Sequence, residues 1–362
     1  MTFTLRLSEV PLHLYPILAG FESLRRKGAI RLKIERLRPG APDLLPYNML
    51  EVVCEDGKRL ILDMNDGYEN LLKDRAEMIP FYNGLLERCD LLFKRSFDGV
   101  RNAQLQAPEK MRRTPPNFLV TLPHNPAHFP VPCDPQREQV KKLVRMLPGS
   151  QYYNGHIMEK NLFHAPHLSE NPRILFMARL WDPDGEFPGQ LTPAMQEERH
   201  AINESRAQCI RLLREAFGER FCGGVAPSAF ACRDYADVVL ENEGLSHKDA
   251  YLAFMKQFDI HISTMGLHGS TGWKFAEYIA ASKAIVCEPL CYESAGGLAD
   301  GTHYLSFTDP ETCVCGVQTL LDDGKRLAMM RANHAYAETY MRPEAFVRYV
   351  LHESGYTTKE GN

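Results

Sequence analysis

An α/β fold in two domains is what this sequence predicts, on three observations. The chain has 362 residues, more than one hydrophobic core usually serves. Strand-like and helix-like signals alternate along it, the mark of sheets layered with helices. Residues 259–286 read in succession as a strand, a glycine-rich loop, a helix and a buried strand, which is a βαβ unit.

The elements follow in order. Phe3 to Leu7 alternates as a first strand, and Leu12 to Lys27 carries apolar residues at helical spacing until Gly28 stops it. The runs 50–54 and 59–63 flank Glu55-Asp-Gly57 and read as a hairpin, an antiparallel irregularity in a half otherwise expected to be parallel. Glu69 to Cys89 reads as largely helical, with Asp90 to Phe93 and Phe118 to Leu122 as strands. Pro123 to Pro135 is a proline-rich loop holding His124 and His128, and Gln136 to Leu147 is a charged helix. The stretch from Pro148 to Pro172 is the expected interdomain connection. Beyond it come an apolar strand from Arg173, a long helix from Gln196 to Phe217, a modest strand from Ala236 to Leu240 and a helix from His247 to Gln257. A strand from Asp259 to Ser263 then feeds the glycine loop. Helices at 311–321, 325–340 and 344–352 close the chain.

Composition narrows the function. The 44% hydrophobic and 24% charged shares are those of an ordinary globular protein. With 42 basic and 46 acidic residues the net charge is −4, so no overall basic footprint for nucleic acid exists. The ten cysteines lack the paired spacing of a zinc site, no apolar leader or membrane-spanning run is seen, and a reducing cytoplasm is the expected home.

The chemistry concentrates in Gly266-Leu-His-Gly-Ser-Thr-Gly-Trp-Lys274. Gly266, Gly269 and Gly272 let the backbone turn tightly and approach a ligand, and Ser270 or Thr271 is positioned to cap a helix beginning near Trp273. Free amides at that helix start attract an anion. Lys274 and Glu277 share a helical face, one suited to phosphate and the other to accepting hydroxyl hydrogen bonds. An ordinary capped helix after a flexible loop gives the same spacing.

The segment from Lys274 through Glu277 to Val286 resembles the donor-binding helix and following strand of GT-B glycosyltransferases, with their K-x-x-E-x-x-A pattern. Two further segments agree in family order. Arg173-Ile-Leu-Phe-Met-Ala-Arg179-Leu is similar to the strand that opens the nucleotide-sugar domain, and Leu298-Ala-Asp-Gly301 followed by Asp309-Pro-Glu311 is similar to the run before the last helices. The wording of the glycine loop is closest to branches that build bacterial surface polysaccharides. The resemblance covers roughly residues 168–340 and implies two facing Rossmann-like domains: an acceptor-binding domain over 1–150, a nucleotide-sugar domain over 151–340, and a C-terminal helix over 341–362 crossing back to the first. It also implies a glycosyltransferase that takes a nucleotide-diphosphate sugar as co-substrate and a glycan or lipid-linked acceptor. No metal or further cofactor is implied. Donor contacts fall to Arg179, Gly266, His268, Gly269, Ser270, Thr271, Gly272, Lys274 and Glu277. Retaining members often carry a second glutamate, which would fall at Gly269, so stereochemistry stays open.

An inverting enzyme needs a base from its acceptor half. Asp63 closes a strand, Asp66 follows within a turn, and His124 lies just past a strand; each is equally readable as a turn or loop residue. Asp182-Pro-Asp184 reads either as a metal-binding Asp-x-Asp pair or as a turn after the Arg179 strand. The pairs Lys94-Arg95 and Arg112-Arg113 read as surface charges or as contacts for an anionic lipid or membrane face. A sugar-nucleotide epimerase or hydrolase, or a non-catalytic nucleotide-sugar-binding subunit, is the alternative to transfer.

Overall fold

The computed structural model of the chain describes residues 1–38, 40–68, 72, 75–128, 157–185 and 191–358. The expected helix at 136–147 and the first part of the expected connection, 148–156, lie outside these residues. The chain divides into two compact units. Unit 1 comprises Met1–Asn161, Tyr292–Gly297 and Tyr336–Asn362; unit 2 comprises Leu162–Cys291 and Leu298–Ala335.

Unit 1 opens with β1 (Thr2–Leu7) and α1 (Tyr15–Arg26), the latter ended at Gly28 in a left-handed conformation. Strands β2 (Arg31–Arg36), β3 (Met49–Cys54) and β4 (Arg59–Asp63) follow, then α2 (Met78–Glu87), β5 (Leu91–Lys94) and β6 (Met111–Arg113). The sheet order is β2-β1-β3-β4-β5-β6. The hairpin forms as read: β3 and β4 pair antiparallel from Met49↔Asp63 to Val53↔Arg59, with Gly57 at φ 89° in the turn. β3 is also antiparallel to β1, while β1–β2, β4–β5 and β5–β6 are parallel. Among the described residues of the 69–89 segment, α2 is preceded by a tight turn at Arg75–Glu77. β2 was unreadable in sequence because it is an exposed edge whose Arg-Leu-Lys-Ile-Glu-Arg wording lacks a buried face.

The expected strand at 118–122 is not a strand. Thr121 makes one isolated parallel bridge to Met158, and the prolines at 115 and 116 just upstream have no amide to offer a ladder. The apolar run marks burial instead, since Phe118 and Val120 lie in the core.

Unit 2 is a parallel sheet in the order β11-β10-β9-β7-β8. Its elements are β7 (Ile174–Ala178), α3 (Pro193–Phe217), β8 (Phe221–Val225), α4 (Lys248–Met255), β9 (Ile260–Ser263), α5 (Trp273–Ala280), β10 (Ala284–Cys287), β11 (Leu305–Ser306), α6 (Pro310–Leu320) and α7 (Asp323–Tyr336). Thr192 caps α3, and Asp309 with Thr312 forms a reciprocal capping box on α6. The expected strand at 236–240 is a short 3-10 turn with a single bridge between Val239 and Val225. β7 pairs with β9 on one side and on the other with β8, which is hidden in the sequence by Gly223 and Gly224. Glycine is required there because a Cβ on Gly223 would stand 2.2 Å from the Phe176 carbonyl oxygen. β7, β9 and β10 are buried on both faces, with Ile174, Phe176, Ile260, Ile262, Ala284 and Val286 in one core with Ile210 and Leu213 of α3.

The chain returns to unit 1 in α8 (Pro343–Glu353), which packs on α1. Each unit is thus a Rossmann-like α/β layer, the first carrying an antiparallel insertion at β3. The α1–α8 contact depends on Gly20, where a Cβ would stand 2.0 Å from the Pro343 carbonyl oxygen and 2.6 Å from Val347. Gly20→Ala gains up to about 1 kcal/mol of helix propensity. It also inserts a methyl against backbone that cannot yield, an overpacking cost of about 1–3 kcal/mol or more. The variant is expected to melt below wild type in a thermal scan; an unchanged or higher Tm would show that the helices do not approach this closely.

Candidate functional site

The carboxyl ends of parallel strands are where α/β sheets hold ligands, and the singled-out residues of unit 2 sit there. A buried arginine from α3, Arg206, organises this edge. It donates to the Arg179 carbonyl (2.6 Å) after β7, and to the Thr264 hydroxyl (2.9 Å) and Met265 carbonyl (2.9 Å) after β9. Burial pushes its pKa down to about 10 against the pull of Glu288, with Arg179 adding repulsion. Glu288, just past β10, accepts from the Met265 amide at 2.6 Å. The loops after three neighbouring strands are therefore tied together by one guanidinium and one carboxylate. Neither residue was picked out in the sequence, because an arginine in mid-helix and a glutamate after a strand look like surface charges.

The glycine loop closes on itself through Gly266 N–H to Ser270 O (2.8 Å) and Ser270 N–H to Leu267 O (3.2 Å). His268 and Gly269 both take positive φ, 61° and 65°, and the His268 amide donates to Glu198 at 2.7 Å. Gly269 faces Cys291, whose sulfur a Cβ would meet at 3.0 Å, and on Gly266 a Cβ would meet the Ser270 hydroxyl at 2.8 Å. The helix α5 begins at Trp273 as read, but neither Ser270 nor Thr271 caps it. Gly272 holds the cap position and the start has no side-chain cap. Nothing among the described residues lies within 4 Å of where a Gly272 Cβ would stand. The helix start, with its partial positive charge, thus has open space beside its cap residue among the described residues.

Cations gather beside it. Arg179 is exposed, with its guanidinium 3.9 Å over the Trp181 ring, and partial burial lowers its pKa. Lys274 donates to the Met177 carbonyl at the end of β7. Its pKa is pushed down to about 7, chiefly by burial; Glu277 opposes this, while Lys248, Arg206 and Arg179 add to it. Lys248 of α4, unremarked in the sequence, forms an ion pair with Glu277 Oε1. Glu277 is fully buried, contrary to an open position on the ligand face, and its Oε2 has no hydrogen-bond partner among the described residues. A buried carboxylate oxygen without a donor is costly unless a ligand supplies one.

Asp182 is a turn residue: its Oδ1 accepts from the Asp184 amide (3.0 Å), its carbonyl accepts from the Gly185 amide (3.1 Å), and Gly185 takes a φ of 76°.

In unit 1 the candidate bases separate. Asp63 is wholly buried: Oδ2 lies 3.0 Å from the Lys94 ammonium and accepts from the Tyr82 hydroxyl (2.9 Å), while Oδ1 accepts from the backbone and side-chain N–H groups of Asn65. Asp66 is partly exposed and pairs with Arg95 through Oδ1 at 2.7 Å. Arg95 also reaches His13 Nδ1 at 3.5 Å, and burial with Arg95 pushes the His13 pKa down to about 4. His13 was not singled out, since only the fold brings residue 13 to residues 66 and 95. His124 is exposed at φ 65°, in a loop held by the buried Asn125, whose amide donates to Tyr15 O and Thr121 Oγ1. Lys94 and Arg95 are not a surface basic spot: both are buried and spent on Asp63 and Asp66.

Comparison with family models and with curated proteins finds no match. Among solved structures the chain is similar to WaaG, a glycosyltransferase involved in lipopolysaccharide biosynthesis, at 12% identity over 97% of this chain and 99% of that one, with a TM-score of 0.35. It is similar to S. aureus MnaA with UDP at 11% identity over 98% and 95%, TM-score 0.38. A UDP-N-acetylglucosamine 2-epimerase gives 12% identity over 99% and 97%, TM-score 0.39. At these values the likenesses decide nothing about the chemistry of this chain. Its own residues must carry the argument.

Arg206→Met removes three donors and leaves the Arg179 and Met265 carbonyls and the Thr264 hydroxyl without their partner, at about 1–3 kcal/mol for each buried group stranded. The variant should lose several degrees of Tm and expose the 264–272 loop to protease. Wild-type stability and protease resistance would mean that Arg206 does not hold this edge.

Proposed function

We propose that this chain is a GT-B-type glycosyltransferase that moves a sugar from a nucleotide-diphosphate donor to a glycan or lipid-linked acceptor in polysaccharide biosynthesis. The observation that carries the proposal is the start of α5: a helix terminus with no side-chain cap and with open space beside Gly272, near Arg179 and Lys274, above a buried Glu277 whose Oε2 has no partner among the described residues. Amides and cations suit a diphosphate, and the carboxylate suits the hydroxyls of a ribose or sugar. Charge developing on the departing diphosphate would be met by these fixed donors, so the reading requires no catalytic metal.

A thermal-shift panel of nucleotide sugars identifies the donor, because a ligand of the native state raises Tm. With that donor, Arg179→Ala should weaken binding by about ten- to a hundredfold, the cost of one charged hydrogen bond at about 1.5–3 kcal/mol. Arg179 is the cleaner probe, because replacing Glu277 also strands Lys248. The proposal fails at this site if a folded Arg179→Ala chain titrates like wild type.

Lys274 makes the same binding pH-dependent. In the free protein its pKa is about 7, and a bound diphosphate stabilises the charged form and raises it. Binding above pH 7 must therefore take up a proton, and affinity falls as pH rises through 7 and beyond, by up to about tenfold per unit. A nucleotide sugar keeps its own diphosphate charge over this range. Calorimetry from pH 6 to 9 should show the fall in wild type and a flat profile in Lys274→Met.

For the acceptor proton, the reading assigns Asp66, the one carboxylate of the candidate pair that is partly exposed. Asp66→Asn should lower the single-turnover rate by about a hundredfold or more with donor affinity unchanged. Asp63→Asn should instead destabilise the fold by about 3–5 kcal/mol, because it leaves Lys94 buried and unpaired. His124→Ala should keep near-normal rates, and turnover should persist in EDTA. Release of free sugar or an epimer without acceptor would assign a hydrolase or epimerase, and donor binding without any turnover a non-catalytic subunit.

A further inference from the structure

Unit 2 holds a polar cavity, of about 350 Å³, lined among others by Lys256, Lys283, His164, His167, Ser169 and Asp259. It lies at the other end of the sheet from the glycine loop. Asp259 immediately precedes β9 and Lys283 immediately precedes β10, whereas the loop follows β9, and the two strands run parallel. Four strand residues, about 13 Å, separate the two ends.

The lining says what would fit. Its apolar members are two alanines, Ala165 and Ala281, with no phenyl, phenol or indole ring and no aliphatic wall for an acyl chain. The charge balance is positive. The Asp259 carboxylate is already occupied, accepting from Ser169 N–H (3.3 Å) and Oγ–H (2.5 Å) on Oδ1 and from Arg173 N–H (3.2 Å) on Oδ2. Lys283 donates to the carbonyls of Lys256 (2.9 Å) and Phe258 (2.7 Å), which leaves one of its three ammonium protons. Lys256 is half-buried and has no hydrogen-bond or ion-pair partner among the described residues. Two ammonium groups at one polar cavity, with the neighbouring carboxylate spent elsewhere, leave an anion's place unfilled.

We infer that this cavity binds a compact phosphate-bearing molecule, a phosphorylated sugar or polyol, at a site separate from the glycine loop. The phosphate would lie against Lys256 and the remaining Lys283 proton, and the polar body against Gln257, His167 and Ser169. Burial agrees with this: it lowers the Lys256 pKa and brings that of Lys283 down to about 8, and a bound dianion would relieve both.

The test is calorimetric titration of the full chain with glucose 1-phosphate and, separately, with inorganic phosphate. Wild type, Lys256→Gln and Lys274→Gln are compared, each checked for an unchanged Tm. Binding weakened at least about tenfold in Lys256→Gln, restored in part by Lys256→Arg and unchanged in Lys274→Gln, is the expected result. Tighter binding of the sugar phosphate identifies an ester as occupant; equal binding of both identifies the free anion. No binding to wild type would overturn the inference. So would binding lost in Lys274→Gln and kept in Lys256→Gln, which would return the phosphate to the glycine loop and leave that reading intact.

Discussion

The buried Arg206 guanidinium is the interaction on which the candidate site depends. Loops that follow parallel strands have no ladder to hold them, and their carbonyls need donors once water is excluded. Arg206 supplies three, to Arg179, Thr264 and Met265, from a helix that is itself fixed in the core by Ile210 and Leu213. A guanidinium serves here because it cannot be deprotonated at working pH and its donors diverge in one plane. The loop after β9 held in this way leads into Gly272, which caps the next helix without a side chain.

Unit 1 solves a related problem with an ion pair. Asp63 and Lys94 end adjacent parallel strands, both wholly buried, and the tyrosines 68 and 82 place their rings 4.9 and 5.6 Å from the ammonium. Every oxygen of Asp63 has a donor, which is the condition under which a buried pair is tolerable. Its neighbours Asp66 and Arg95 repeat the pairing one step nearer solvent. Two carboxylates three residues apart thus sit in different surroundings, one wholly buried and one partly exposed, set by depth alone.

In unit 2, positive charge occurs at both ends of one sheet. At the carboxyl end it is organised by loops and a helix start; at the amino end it comes from Lys256 and Lys283 around a polar cavity.

The fold class, the hairpin, the βαβ unit with its glycine loop, and the closing helices were legible in the sequence, because each rests on local periodicity or on residues a few positions apart. β2 and β8 were not. One is an edge with no buried face, and the other carries glycines demanded by a neighbouring strand's carbonyl. The strands read at 118–122 and 236–240 failed for the converse reason: apolar runs report burial, but a ladder needs a partner that only the fold supplies. Among candidate site residues, Lys274 and Glu277 were singled out by spacing and Arg179 by the resemblance of its strand. Arg206, Lys248 and His13 were not, since their roles arise from side chains 29 to 82 positions away in sequence. The sequence determined which residue types were available at each strand end. The tertiary structure alone decided which charges are buried and paired and which stay open to a ligand, because desolvation and pairing belong to three-dimensional neighbours and not to the chain.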